Sequence, residues 1–120
     1  MKNLSTMSST QLDNIKFILT DIDDTLTTEG RLKSDAYNAM ERLSLSGYKV
    51  IPVTGRCAGW CDHIARMWPV DGVVGENGAF FYQYDHMNKK MHNVYSQTEL
   101  ERKSNFKLLH EIKDTVLSSV

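Results

Sequence analysis

Phe17-Ile18-Leu19-Thr20-Asp21-Ile22-Asp23-Asp24-Thr25-Leu26-Thr27 is an apolar run of strand type that ends in three carboxylates within four residues. Like charges so close repel, and folding alone gives no reason to assemble them. Such clusters persist where a cation or a phosphoryl group uses them. In an open parallel sheet, ligands bind outside the carboxyl ends of the strands. A strand here would deliver the acids to such an edge. Residues two apart share a face, so Asp21 and Asp23 should point the same way. Taken alone, the stretch also fits a solvated acidic turn after a strand.

A second stretch shifts that balance. Tyr48-Lys49-Val50-Ile51-Pro52-Val53 reads as another short buried strand and runs into Thr54-Gly55-Arg56. A hydroxyl, a glycine and a cation at a strand end make a small phosphate-binding corner. The glycine lets the backbone approach a ligand, and the arginine adds a charge-assisted donor. Gly-Arg after a strand is common, so the corner gains its weight from following the acidic stretch by one strand-helix unit. The expectation is that Asp21, Asp23 and Thr54 converge on one pocket.

In these residues the chain resembles the haloacid dehalogenase-like (HAD) superfamily of phosphohydrolases. Asp21-Ile22-Asp23-Asp24-Thr25 matches the first motif and Thr54 with Gly55-Arg56 the second. Gly75-Glu76-Asn77-Gly78-Ala79 is similar to the strand-to-cap junction of members with a large cap after the third strand, as in sugar-phosphate phosphatases. The likeness covers residues 15–84 well and the remainder loosely. The family more often has Gly where this chain has Asp24.

The resemblance implies a role for each matching residue. Asp21 would be the nucleophile that forms an aspartyl-phosphate. Asp23 would protonate the leaving oxygen and then activate water, with a pKa expected to be raised by its acidic neighbours and partial burial. Thr54, Gly55 and Arg56 would bind the phosphoryl group, joined by Asp24, Thr25 and the amides after Asp21. Mg²⁺ would sit on the Asp21 carboxylate and the Asp23 carbonyl. The family's third motif, a Lys, and its fourth, an acidic pair completing the metal site, come after the cap, beyond Val120. Lys103, Lys107 and Lys113 have no strand or glycine context that would make them substitutes.

The implied substrate is a small phosphorylated metabolite, and the implied activity a Mg²⁺-dependent phosphatase. Two alternatives stay open: a catalytically weak HAD-like chain that folds and binds phosphate or a partner, and a phospho-accepting receiver domain. A receiver spreads its acids over two strands, whereas Asp21 and Asp23 share one.

Composition adds boundaries. The chain has 120 residues, a formal net charge of −1 and 41% hydrophobic residues. That gives one modest core and nothing that suggests nucleic-acid or membrane affinity. No apolar run approaches the length of a bilayer span. Cys57 and Cys61 stand i,i+4 on an expected helix near His63, a poor tetrahedral metal set, and read as reduced cytoplasmic thiols packed as small apolar groups.

The organisation read from pattern is α/β: a Rossmann-like parallel sheet, the N-terminal part of a HAD core, followed by the start of an α+β cap. Residues 1–14, rich in Ser, Thr and Asn, read as a disordered leader, 15–78 as partial core and 79–120 as partial cap. A helix is expected from Ser34 or Asp35 through Ser46, with Ala36, Met40 and Leu43 inward. A second runs from about Ala58 to Trp68, with Trp60, Ile64 and Met67 toward the sheet and Pro69 ending it. Val70 to Gly75 reads as a third parallel strand. Ala79 to Tyr84 and Met91 to Tyr95 read as a hairpin. Thr98 to Leu117 reads as an amphipathic helix with Leu109, Ile112 and Val116 on one stripe. The first strand would be a bare edge and one sheet face uncovered. The last helix should therefore fold back, or the chain should form a homo-oligomer.

Overall fold

Strand β1 (Phe17–Thr20) and strand β4 (Lys49–Pro52) pair in parallel, with Ile18 opposite Val50 and Thr20 opposite Pro52. Between them lie a short hairpin, β2 (Thr27–Thr28) with β3 (Arg31–Leu32), and helix α2 (Ser34–Leu45). Helix α3 (Ala58–Met67) then leads to β5 (Val73–Gly75), which continues the parallel order through a bridge from Val53 to Val74. This computed structural model describes residues 3–120. Met1 and Lys2, the first residues of the expected leader, lie outside the described residues. Residues 3–14 hold a single 3-10 turn and the five-residue helix α1 (Ser9–Asp13), neither with a buried residue.

The strand-helix-strand pattern, and with it the α/β class, follows from where apolar side chains fall. In α2 the inward positions are Met40, fully buried, with Ala36 and Leu43 half-buried, as their spacing predicts. In α3 the buried face is Cys61, Ile64 and Ala65. Trp60 and Met67, expected to face the sheet, are instead exposed. The i,i+3,i+4 stripe begins one residue later than read, at Cys61, because the buried thiol fits where indole would not. Trp60 lies on the flank, under the Arg56 guanidinium, 4.7 Å from its ring centroid. Burial pushes the Cys61 thiol up to about 11, so it packs as a small apolar group.

Strands β6 (Phe80–Asp85) and β7 (Lys90–Tyr95) form the expected hairpin. β6 also pairs antiparallel with β5, Gly75 opposite Phe80. Phe80 and Tyr82 enter the same apolar cluster as Ile22, Ile64 and Val73. The expected division near residue 78 thus falls in a tight turn, and residues on both sides share one core. Fully burying each such side chain is worth about 1.5–3 kcal/mol.

The other sheet face is bare. Register places Leu19 beside Ile51, Val53 beside Val74, Val74 beside Phe81, and Phe81 beside Val94. Within this apolar row Leu19, Val53 and Val94 are exposed, as is Phe17 two residues before Leu19. Helix α4 (Glu99–Ser118) does not cover it. The helix has no buried residue, and Phe106, Leu109, Ile112 and Val116 are all exposed. Fold-back, the first of the two expected repairs, is not what the chain does.

The accessible surface is 9097 Å², against about 6,600 Å² for a compact 13.7 kDa protein. The excess of about 2,500 Å² per chain is larger than the roughly 800 Å² that each partner of a standard-size interface removes from water. Sedimentation of the 120-residue chain at micromolar concentration is therefore expected to report a homo-oligomer, with α4 of one copy on the bare face of another. Leu109→Asp with Ile112→Asp should return it to monomer. A soluble wild-type monomer would be the contrary result.

Candidate active site

Asp21 follows β1 directly, in extended backbone at φ −72° and ψ 162°, and its side chain is exposed. The loop after it is anchored by Ile22, the one apolar residue among the acids, which is buried in the core. The Thr27 hydroxyl and backbone N–H both donate to the Ile22 carbonyl, the hydroxyl at 3.0 Å, which closes the loop. Asp24 takes left-handed backbone, φ 56°. Glycine is the residue most at ease there, and aspartate is among the few others that tolerate it. The exposed Asp24 carboxylate adds negative charge beside Asp21 without contacting it through any hydrogen bond among the described residues.

Thr54 stands at the matching end of β4 and is buried. Its N–H donates to the Val74 carbonyl at 2.9 Å, which fixes the strand end against β5. Its hydroxyl accepts from the Arg56 N–H at 3.1 Å, leaving the hydroxyl proton available to an incoming acceptor. Asp21, Thr54 and Gly55 line one open depression of about 500 Å³, together with Leu19, Thr20, Val53 and Asn77. The convergence of Asp21 with Thr54 follows from parallel pairing, since both strands end on the same edge.

Asp23 is placed differently from the expectation. It does not line that depression. Arg56 grips its carboxylate with both arms of the guanidinium, Nε to Oδ2 at 3.1 Å and Nη2 to Oδ1 at 2.5 Å. The Asp23 pKa is correspondingly lowered, first by the hydrogen bonds from Arg56, which outweigh the opposing desolvation, and also by the Arg56 charge. The raised pKa expected from acidic neighbours is thus reversed: the nearest charge is a cation, and Asp23 is open to water. Arg56, expected as a phosphate ligand, is engaged with Asp23, and its own pKa is raised by the same hydrogen bonds. A folded-state pKa below the unfolded one means that the pair favours folding above the ordinary carboxylate range. That contribution disappears as pH falls through the lowered pKa. NMR titration of the Asp23 carboxyl is expected to give a midpoint below 3.8, rising in Arg56→Ala.

Asp24 and Thr25 are exposed on the loop, and neither side chain lines the depression. For Mg²⁺, the chain offers the Asp21 carboxylate and the Asp23 carbonyl, two of the six oxygens that ion takes. Among the described residues no group of three His, Cys, Asp or Glu side chains could hold a metal. Those two oxygens are fewer than a complete Mg²⁺ shell, and that ion commonly takes its remaining oxygens from water and from a bound phosphate.

Asn77, read from sequence only as part of a junction, proves to line the depression. The signal was in the sequence: Asn-Gly after a strand marks a left-handed turn. Such a turn folds the chain back over the strand ends.

The family model for haloacid dehalogenase-like hydrolases matches residues 18–118. The chain belongs to that family. Among solved structures, this chain is similar to a HAD-superfamily phosphatase from Bacteroides thetaiotaomicron, at 23% identity and a TM-score of 0.56. That match covers 91% of this chain and 40% of the other. A hypothetical protein from Geobacillus kaustophilus gives 24% identity and a TM-score of 0.56, covering 82% of this chain and 38% of its own length. A haloacid dehalogenase-like hydrolase from B. subtilis gives 20% and 0.56, covering 83% and 34%. At these identities the likeness shows the fold, and this chain spans about two fifths of its neighbours' length. No curated protein matches it. Among the described residues no helix is long and apolar enough to cross a membrane.

Proposed function

We propose that this HAD-like hydrolase supplies the nucleophile and phosphate-binding side of a phosphatase acting on a small phosphorylated metabolite. The observation that carries the reading is the delivery of Asp21 and Thr54, from two parallel strand ends, to one depression floored by Gly55. A phosphate monoester there has its phosphorus beside Asp21 and an oxygen within reach of the Thr54 hydroxyl. An Asp21 oxygen attacks phosphorus, the bond from phosphorus to the ester oxygen breaks, and that oxygen takes a proton from Asp23. Water then attacks the aspartyl-phosphate, gives its proton to Asp23, and frees phosphate and Asp21. For the first step Asp23 must leave Arg56 and be protonated. The dianionic phosphoryl group is the natural competitor for that guanidinium.

One observation favours a second reading, a chain that binds phosphate with little turnover: only two oxygens are on hand for a cation that would offset the charge between carboxylate and phosphate. Both readings are tested by incubating the chain with an aryl phosphate, with and without Mg²⁺. Phosphate release together with a hydroxylamine-labile phosphoryl group on the chain supports the first. Phosphate binding without release supports the second. A stable phosphoryl group from acetyl phosphate, without turnover, would point instead to a receiver-like acceptor.

A further inference from the structure

The turn between β5 and β6 holds two consecutive residues other than glycine in left-handed backbone, Glu76 at φ 47° and Asn77 at φ 55°. Such placements are strained for residues with a Cβ and persist where the surroundings impose them. Two backbone bonds account for the conformation. The Asn77 N–H donates to the Thr54 carbonyl and the Glu76 N–H to the Arg56 carbonyl, each at 3.1 Å. These staple the turn onto the Thr54–Arg56 corner. Glycine would make both bonds with less strain, so they explain the turn and not the asparagine.

The side chain goes elsewhere. The Asn77 carboxamide lies over the α-carbon of Gly55, where an added Cβ would stand 3.0 Å from Oδ1 and 3.5 Å from Nδ2. It is exposed, and among the described residues no protein group hydrogen-bonds it. It lines the same depression as Asp21 and Thr54. Gly55 is thus the gap through which a neutral amide, supplied by the turn after β5, reaches the phosphate corner. A neutral donor suits that place. It offers N–H to a phosphoryl oxygen without adding to the negative charge of Asp21, Asp23 and Asp24.

We infer that Asn77 is a phosphate-binding residue, its carboxamide donating to an oxygen of the phosphoryl group held by Thr54. This rests on the phosphate reading of the corner proposed above. The test is titration of inorganic phosphate into the 120-residue chain, following the backbone amides of Thr54 and Gly55 by NMR. Asn77→Gly removes only the side chain and suits the positive φ, so its melting temperature should equal or exceed that of the wild type. Its phosphate affinity should fall about tenfold, the worth of one hydrogen bond to a charged group. Asn77→Asp keeps the shape and replaces the donor with a repelling charge, so it should bind more weakly still. Gly55→Ala, which displaces the carboxamide, should also weaken binding.

Wild-type affinity in Asn77→Gly and Asn77→Asp, with binding weakened in Thr54→Val, would overturn the role of Asn77 and leave the corner intact. Phosphate that fails to move the Thr54 and Gly55 amides of the wild type would overturn both.

Discussion

Asp21→Asn is expected to reduce phosphate release from an aryl phosphate by about three orders of magnitude or more, the scale on which removing a nucleophile acts. The carboxamide keeps the shape of the carboxylate but has no anionic oxygen to attack phosphorus. It also lessens the negative charge facing the phosphate, so affinity for inorganic phosphate should hold or rise while turnover falls. That opposite movement separates a lost nucleophile from a disturbed fold. Asp23→Asn makes the complementary case. A nitrophenolate leaves without needing a proton, so the first step should survive while the second, which needs a base for water, slows. The phosphorylated chain should accumulate in Asp23→Asn and be absent in Asp21→Asn, as read by intact mass. Equal rates in Asp21→Asn and wild type would remove Asp21 from the chemistry.

The two acids also show which parts of such a site a sequence can convey. Asp21 and Thr54 were legible because their placement depends on strand direction alone. An apolar run of strand type followed by a polar residue puts that residue at the strand end, and parallel pairing brings two such ends together. Asp23 was not legible. Its direction depends on a loop whose course is set by burial of Ile22 and by left-handed backbone at Asp24. Its pKa depends on Arg56, a residue 33 positions away in sequence. Local charge counting pointed up, and the tertiary contact points down. The same limit explains Trp60. Spacing located the apolar stripe of α3 but set its start one residue early, at Trp60, whereas packing places Cys61 against Gly75 and Phe80. For α4 the stripe was legible and its burial was not, because amphipathicity states what a helix can cover and says nothing of what is within reach.

Gly75→Ala should destabilise the chain more than its single methyl group suggests. The backbone at Gly75 is ordinary extended chain, φ −115° and ψ 168°, so conformation does not demand glycine. Space does. An added Cβ would stand 2.3 Å from the Phe80 ring and 2.7 Å from the Cys61 sulfur. Neither neighbour can yield freely. The Phe80 ring is buried, stacked on Tyr82 at 4.3 Å between centroids and edge-on to Tyr95 at 6.4 Å. Cys61 is fully buried on α3 and hydrogen-bonded to the Arg56 carbonyl. Overpacking of this kind costs about 1–3 kcal/mol and occasionally more. For a chain of 120 residues each kcal/mol lowers the melting temperature by about 3–6 °C. A fall of about 5–15 °C is therefore expected in a thermal melt followed by circular dichroism. Phe80→Leu alone should also destabilise, by loss of ring packing, yet combined with Gly75→Ala it should cost less than the two changes added. That non-additivity is what a shared steric contact predicts. The consequence reaches the site, because Gly75 opens the turn that carries Asn77 to Thr54. A displaced β5–β6 junction should loosen the Asn77 bond to the Thr54 carbonyl, exposing the Asn77 amide to faster hydrogen exchange. Unchanged melting and exchange in Gly75→Ala would mean that the Phe80 ring has another place to go.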